Sequence, residues 1–167
     1  RRQPVSPTVR RLGAGEAGLL RNVRLRALRD APMAFGSTSA REEAYEPEAW
    51  ERWAADGARG ERQAIFIAEP EAGMASAVID DEDPALAHLY AMWVAPSARG
   101  SGTARALVEA VLGWSAERGA LRVTTSVTED NAAAAALYAA AGFADTGRRE
   151  PLGHSEGVVA VLERALP

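Results

Sequence analysis

The sequence predicts an α/β (α+β) protein built on a single mixed, largely antiparallel central sheet of about six to seven strands, flanked by about four helices. One observation is a hairpin pattern, in which the apolar run Gln63–Glu69 is followed by a Pro-Gly turn and a second apolar run. Another is the order strand, glycine-containing turn, helix and strand over residues 85–127, which is typical of a parallel crossover. The 167 residues are enough for a substantial core, so we expect a single domain over residues 1–167, with residues 1–7 as a flexible tail.

The first half of the chain is divided by its turn residues and apolar spacing. The predicted elements are a short edge strand over 8–12, helices over 16–29 and 47–57, and strands over 63–69 and 74–80. The first helix carries apolar residues on one face, and its arginines at 21, 24, 26 and 29 are expected on a solvated face. Phe35 lies in a segment without clear periodicity, where it is expected either in the core or as a wall of a substrate pocket.

The second half is more strongly patterned. The predicted elements are a strand over 85–94, a helix over 103–118, a strand over 121–127, a helix over 131–141 and a closing hairpin over 143–150 and 157–164. The connector of that hairpin, residues 153–157, matches the G-x-S-x-G pattern of α/β-hydrolases. That pattern requires a helix after the serine and a histidine further along. A strand-like run follows instead, and no histidine lies beyond His154, so we do not assign a hydrolase.

Composition excludes several classes of function. The net charge of −4 gives no support to a nucleic-acid partner. All basic residues are arginine and there is no cysteine, which excludes a Schiff-base lysine, disulfides and a cysteine nucleophile. Two separated histidines make a metal site unexpected. Because no apolar run approaches the ~20 residues of a membrane span, we expect a cytoplasmic protein without a membrane partner.

The turn between the strand over 85–94 and the helix over 103–118 contains Arg99-Gly100-Ser101-Gly102-Thr103-Ala104. A helix start of this kind leaves N–H groups unpaired, and the positive end of the helix dipole favours a bound phosphate. Glycine allows a phosphate to approach the main chain closely. Arg105 rules out the dinucleotide pattern G-x-G-x-x-G/A, and the absence of lysine rules out a P-loop. The pattern that fits is [RQ]-x-x-G-x-[GA].

A second motif follows at ordinary spacing. Residues 131–143 read N-x-x-A-x-x-L-Y-x-x-x-G-F, through Asn131, Ala134, Leu137, Tyr138, Gly142 and Phe143. The two motifs together resemble the GNAT superfamily of N-acetyltransferases, most firmly over residues 87–143. Thr103 and Ala104 depart from the residues usual in that family, where a larger aliphatic residue and a glycine are common.

The resemblance implies acetyl-CoA as co-substrate and a primary amine as acceptor, either a small molecule, an amino acid derivative or a protein N-terminus. It assigns the pyrophosphate to the N–H groups of residues 99–104. It assigns the pantetheine arm to the backbone of Met92, Trp93 and Val94 and to Asn131, and the role of general acid to Tyr138. A phenol is protonated at neutral pH, as a general acid must be. The resemblance also makes a homodimer an open expectation.

The sequence leaves the identity of the general base open. An alkylammonium must lose a proton before it can attack a thioester, and His88, Glu129, Glu42 and Asp80 are all candidates. Two other functions are also open. One is a non-catalytic acyl-CoA-binding or sensing module on the same fold, and the other is an O-acyl or longer-chain acyltransferase.

Overall fold

The computed structural model describes residues 6–167, and residues 1–5, which form most of the predicted tail, lie outside the described part. A seven-stranded sheet forms the centre of the protein, in the order β1-β2-β3-β4-β5-β7-β6. Its strands are β1 Val9–Arg11, β2 Gln63–Ala68, β3 Gly73–Ile79, β4 Leu86–Val94, β5 Arg122–Thr128, β6 Ala144–Pro151 and β7 Val158–Ala165. The helices are α1 Ala17–Asp30, α2 Ser39–Glu43, α3 Pro47–Arg59, α4 Thr103–Glu117 and α5 Ala132–Ala140.

All neighbouring strands are antiparallel except β4 and β5, which are parallel. The predicted mixed, largely antiparallel sheet is therefore confirmed, with β1 at one edge and β6 at the other. Four predicted helices are present within a few residues of their expected bounds. The fifth, α2, is too short to show a helical period in the sequence. It begins after Thr38, whose side chain accepts a hydrogen bond from the Arg41 N–H.

The hydrophobic core is divided between the two faces of the sheet. Alternation along β2 sends Ile65 and Ile67 to one face and Phe66 to the other. One face packs against α1 and α3, with Leu20 and Trp50 among the buried residues, and the other packs against α4 and α5. The sheet is thus covered by helices on both faces, and any binding site must lie at an edge or where strands separate.

Arg24 corrects one sequence expectation. The helix α1 was expected to place its arginines in solvent, but Arg24 is 8% exposed. It follows Leu20 by four residues and precedes Leu28 by four, so the helical period puts it on the apolar face. Its Nε and Nη2 donate to the Glu42 Oε1 and Oε2 atoms, both at 2.9 Å, which compensates for burial of the charge.

Candidate active site

The central parallel pair of strands separates soon after it begins. β4 and β5 are paired only from Leu86↔Arg122 to His88↔Thr124, although both strands continue well beyond these residues. Near the same point β4 contains a bulge, where the register with β3 shifts and Ala91 adopts a φ of +53°. The divergence opens a cleft in the middle of the sheet, with strand backbone on its walls.

The predicted phosphate loop lies at one end of this cleft. Gly100 and Gly102 have φ values of +77° and +85°, in the left-handed region that glycine tolerates. No side chain caps the start of α4, and within residues 6–167 the N–H groups from Gly100 to Arg105 have no hydrogen-bond acceptor. These donors, at the positive end of a 15-residue helix, are suited to an anion.

A cavity of about 660 Å³ extends from this loop along β4 to α5. It is lined by eight of the ten predicted cofactor residues, namely Met92, Trp93, Val94, Arg99, Gly100, Gly102, Ala104 and Asn131. Ser101 and Thr103 instead line a different cavity, together with Pro7 and Ala98. Their hydroxyl oxygens are 2.8 Å apart, so these two residues can contribute to the cavity only through their backbone.

Two details of this cavity were not expected from the sequence. Arg99 Nε donates to the Val94 carbonyl at 3.2 Å, so that carbonyl is already engaged. Arg99 Nη2 donates to Asp30 Oδ2 at 2.6 Å, and the Trp93 indole donates to the same oxygen at 2.9 Å. The indole hydrogen bond, followed by that of Arg99, lowers the pKa of Asp30. Asp30 was not among the predicted site residues, because no local pattern links it to residues more than 60 positions away.

Tyr138 lies at the inner end of the cleft. It is 4% exposed, and its ring packs edge-to-face against Phe143 with centroids 5.5 Å apart. Burial raises the pKa of Tyr138 to about 12, opposed only in part by the Thr125 hydroxyl. The phenol is therefore protonated at all physiological pH values. Asn131 caps α5 by accepting a hydrogen bond from the Ala134 N–H at 3.1 Å, and it also lines the cavity.

A second, smaller cavity of about 370 Å³ adjoins the first. The two cavities share part of their walls, through Ala34, Phe35, Met92, Asn131, Ala134 and Tyr138. Phe35 is 7% exposed and lines both, so the two roles considered for it, core residue and pocket wall, are combined. The junction of the two cavities lies beside the bulge in β4, and Tyr138 is the hydroxyl-bearing residue that lines both cavities there.

The four candidate bases are separated by the structure. Glu42 is bound to buried Arg24, and Glu129 is bound at the surface to Arg149 Nε at 2.7 Å. His88 lines the smaller cavity, with its Nε2 2.8 Å from Asp80 Oδ1 and its Nδ1 2.8 Å from Thr124 Oγ1. Asp80 orients this imidazole, and its own pKa is lowered, principally by His88.

Metal and membrane sites were also considered. Across residues 6–167, no three histidine or carboxylate side chains lie close enough together to hold a metal ion. None of the helices in that range combines the length and the apolar character needed to cross a bilayer.

An open mixed sheet whose parallel pair splits beside a glycine-containing helix start is a fold that this protein shares with solved acetyltransferase structures. More specifically, the chain belongs to the acetyltransferase (GNAT) family, whose model matches residues 25–143. The predicted family is thereby confirmed. The structure of yncA, an acetyltransferase from Salmonella typhimurium with its cofactor acetyl-CoA, has the same fold. Its TM-score is 0.78 at 17% identity, over 98% of this chain and 95% of that one.

Two relatives share sequence over shorter segments. A mycothiol acetyltransferase from Kocuria rhizophila is 44% identical over 62 residues, which are 37% of this chain and 20% of that protein. An uncharacterized N-acetyltransferase from Mycobacterium bovis is 41% identical over 70 residues, which are 42% of this chain and 43% of that protein. The matched segments thus span less than half of either relative.

Proposed function

We propose that the protein is an N-acetyltransferase that moves the acetyl group of acetyl-CoA directly to a primary amine in a ternary complex. The observation that carries the proposal is the junction of the two cavities at Tyr138. The larger cavity, which runs to the anion-binding loop, takes acetyl-CoA, and the smaller one takes the amine. Direct transfer is also supported by the absence of cysteine, since a cysteine acyl-enzyme cannot form. An amine acceptor is also consistent with the relative from Mycobacterium bovis, which is described as an N-acetyltransferase.

Acetyl-CoA supplies an acetyl thioester, whose carbonyl carbon bonds to the amine as the bond to sulfur breaks. The N–H groups from Gly100 to Arg105 have no acceptor in residues 6–167 and fit a diphosphate. The backbone of Met92 and Trp93 lines the same cavity beyond the last β4–β5 pair and fits an extended amide-containing arm. The Val94 carbonyl can bind the pantetheine arm only after its hydrogen bond from Arg99 Nε is broken.

Tyr138 donates a hydrogen bond to the departing sulfur. With a pKa of about 12, the phenol is a weaker acid than a thiol, whose pKa is about 8.5. Complete proton transfer to a thiolate is therefore uphill by about 5 kcal/mol at 1.36 kcal/mol per pH unit. Tyr138 thus acts mainly while the carbon–sulfur bond is breaking and negative charge is developing. After the carbon–nitrogen bond has formed, the amine loses a second proton, which returns to the phenol oxygen as the phenol's own proton passes to sulfur.

His88 receives the proton of the ammonium group through Thr124. In its neutral form, with Nε2–H donating to Asp80, the imidazole accepts the Thr124 hydroxyl proton at Nδ1. Thr124 lines the smaller cavity, so its oxygen can accept the amine proton as its own proton moves to His88. Asp80 then stabilises the imidazolium. The amine is left neutral, with a lone pair for attack.

The proposal is tested by following release of free thiol from acetyl-CoA with a panel of primary amines. Amine-dependent release, with the acetylated amine identified by mass spectrometry, is the expected result. Saturable binding of acetyl-CoA without turnover on any amine would instead identify a sensing module, the alternative on the same fold. Tyr45→Phe is a suitable control for substitutions at Tyr138, because Tyr45 is 37% exposed and lines neither cavity.

A further inference from the structure

The smaller cavity has a buried guanidinium in its wall. Arg24 lines this cavity and is 8% exposed. Glu42 accepts hydrogen bonds from Nε and Nη2, but Nη1 is buried and has no partner anywhere in residues 6–167. An unpaired buried donor on a charged group is costly, and native proteins seldom leave one without a reason.

A second unpaired donor lines the same cavity. Ser37 lines the smaller cavity, and its Oγ is buried without a hydrogen-bond partner among the described residues. Phe35 lies between these two residues in sequence, and its ring centroid is 5.0 Å from the Arg24 Cζ. Arg24 and Ser37 come from different elements, α1 and the segment before α2, so their shared position on one cavity is a tertiary arrangement.

The charges around the cavity define what these donors can bind. Among residues 6–167, no aspartate or glutamate lines it, and its polar lining consists of Arg24, His88, Tyr90, Tyr138, Asn131 and hydroxyl residues. Glu42 balances the Arg24 charge, so the pair offers directed N–H donors more than a diffuse positive field. Hydrogen bonds from a guanidinium to a carboxylate are about twice as strong as neutral ones. A polyamine, in contrast, would find no carboxylate in the lining.

We propose that the smaller cavity recognises its acceptor by a carboxylate, which accepts hydrogen bonds from Arg24 Nη1 and Ser37 Oγ while the amine of the same molecule lies toward Tyr138. The acceptor is therefore a small amino acid or a close derivative with a free carboxylate. A volume of about 370 Å³ is at the small end of the range for ligand pockets, which agrees with such a molecule. This inference rests on the proposed N-acetyltransferase activity, for which it names the acceptor class.

The test compares matched sets of acceptors that differ in one group. Each proteinogenic L-amino acid is assayed beside its carboxamide and its decarboxylated amine, for example phenylalanine, phenylalaninamide and phenethylamine. At least one amino acid is expected to have a kcat/KM about 10-fold or more above that of its amide and amine, mainly through KM. Equal or better rates for the amides or amines would overturn the carboxylate assignment.

Two variants connect this preference to the proposed donors. Ser37→Ala removes a hydroxyl that bonds to no residue in 6–167, so the fold is expected to persist. It should lower the preference for the acid over its amine about 10-fold. Arg24→Lys keeps a cation for Glu42 but has one nitrogen in place of three, so it loses the Nη1 donor and should lower that preference further. The matched control is Ser39→Ala, the same substitution two residues away and outside the cavity lining. An unchanged preference in both cavity variants would overturn the inference.

Failure of the inference can be distinguished from failure of the proposed function. The same amino acids are titrated into the protein loaded with CoA, and binding is measured by calorimetry. If no amine is acetylated but an amino acid binds and Ser37→Ala weakens that binding, the carboxylate site is retained and the proposed function is lost. If amines are acetylated but no carboxylate compound is preferred or bound more tightly, the proposed function is retained and the carboxylate site is lost.

Discussion

Tyr138→Phe removes one oxygen atom from the junction of the two cavities. The ring is 4% exposed and held edge-to-face by Phe143, and phenylalanine preserves this packing. The substitution also leaves the anion-binding loop and the α5 cap unchanged, because neither involves the phenol. We therefore expect a change in catalysis without a change in the fold or in the affinity for acetyl-CoA.

The size of the effect follows from the role proposed for the phenol. A single positioned general acid contributes about 10² to 10⁴-fold. Because the pKa of Tyr138 is raised to about 12, proton transfer is only partial, and we expect the lower end of that range. A loss of about 10²-fold in kcat corresponds to about 2.7 kcal/mol. The Kd for acetyl-CoA, measured by calorimetry, should change less than about 2-fold.

The pH dependence gives an independent check. The neutral phenol is the active form, so its contribution is lost only when the pH exceeds its pKa of about 12. Between about pH 6 and pH 10, ionisation of Tyr138 should therefore produce no falling limb in kcat. A wild-type kcat in Tyr138→Phe, with Tyr45→Phe also unchanged, would refute the role of the phenol. A falling limb near pH 10 that disappears in Tyr138→Phe would refute the raised pKa.

Three further predictions concern the loop, the buried ion pair and the base. Gly102→Val places a β-branched residue at a φ of +85°, and calorimetry should show a loss of affinity for acetyl-CoA of about 10²-fold or more. The control Gly113→Val, on the exposed side of α4, should keep the wild-type affinity. Glu42→Gln leaves the buried charge of Arg24 unpaired, so the free energy of unfolding should fall by about 3 to 5 kcal/mol, which lowers the Tm by roughly 6 to 20 °C. The control Glu43→Gln, in an exposed ion pair, should lower it by less than about 1 kcal/mol, and equal losses in the two variants would contradict the assignment. His88→Asn should lower kcat about 10²-fold near pH 7, with a deficit that shrinks toward about pH 9 as free amine forms without a base, whereas a deficit independent of pH would indicate a structural role.

The sequence predicted most of the fold and half of the site, for physical reasons. Strands such as β5 and helices such as α4 have strong local periods, so their positions were predicted within about two residues. The larger cavity was also predictable, because the anion-binding loop and the start of α5 are continuous motifs. The binding proposed there uses backbone groups, and a local pattern of glycine and small residues is sufficient to specify them.

The acceptor side was not predictable in the same way. Asp30 contacts Arg99 across 69 positions, and Arg24 contacts Glu42 across 18. Side-chain pairs at such separations leave no regular spacing in a single sequence. The helical period places Arg24 between Leu20 and Leu28 on the apolar face, which indicates burial. We nevertheless predicted a solvated position, because an arginine is rarely buried. Ser37 carried none, because a serine in an irregular segment is usually solvated.

The early separation of β4 from β5 has one more consequence. Beyond the last β4–β5 pair, the facing edges of β4 and β5 have no neighbouring strand, although they lie in the middle of the sheet. Residues of α1, α4 and α5 line the cavity beside these edges, which restricts the approach of another sheet. A narrow, extended molecule can still enter the cleft between the two strands. The separated strands therefore offer free backbone edges to a narrow, extended ligand.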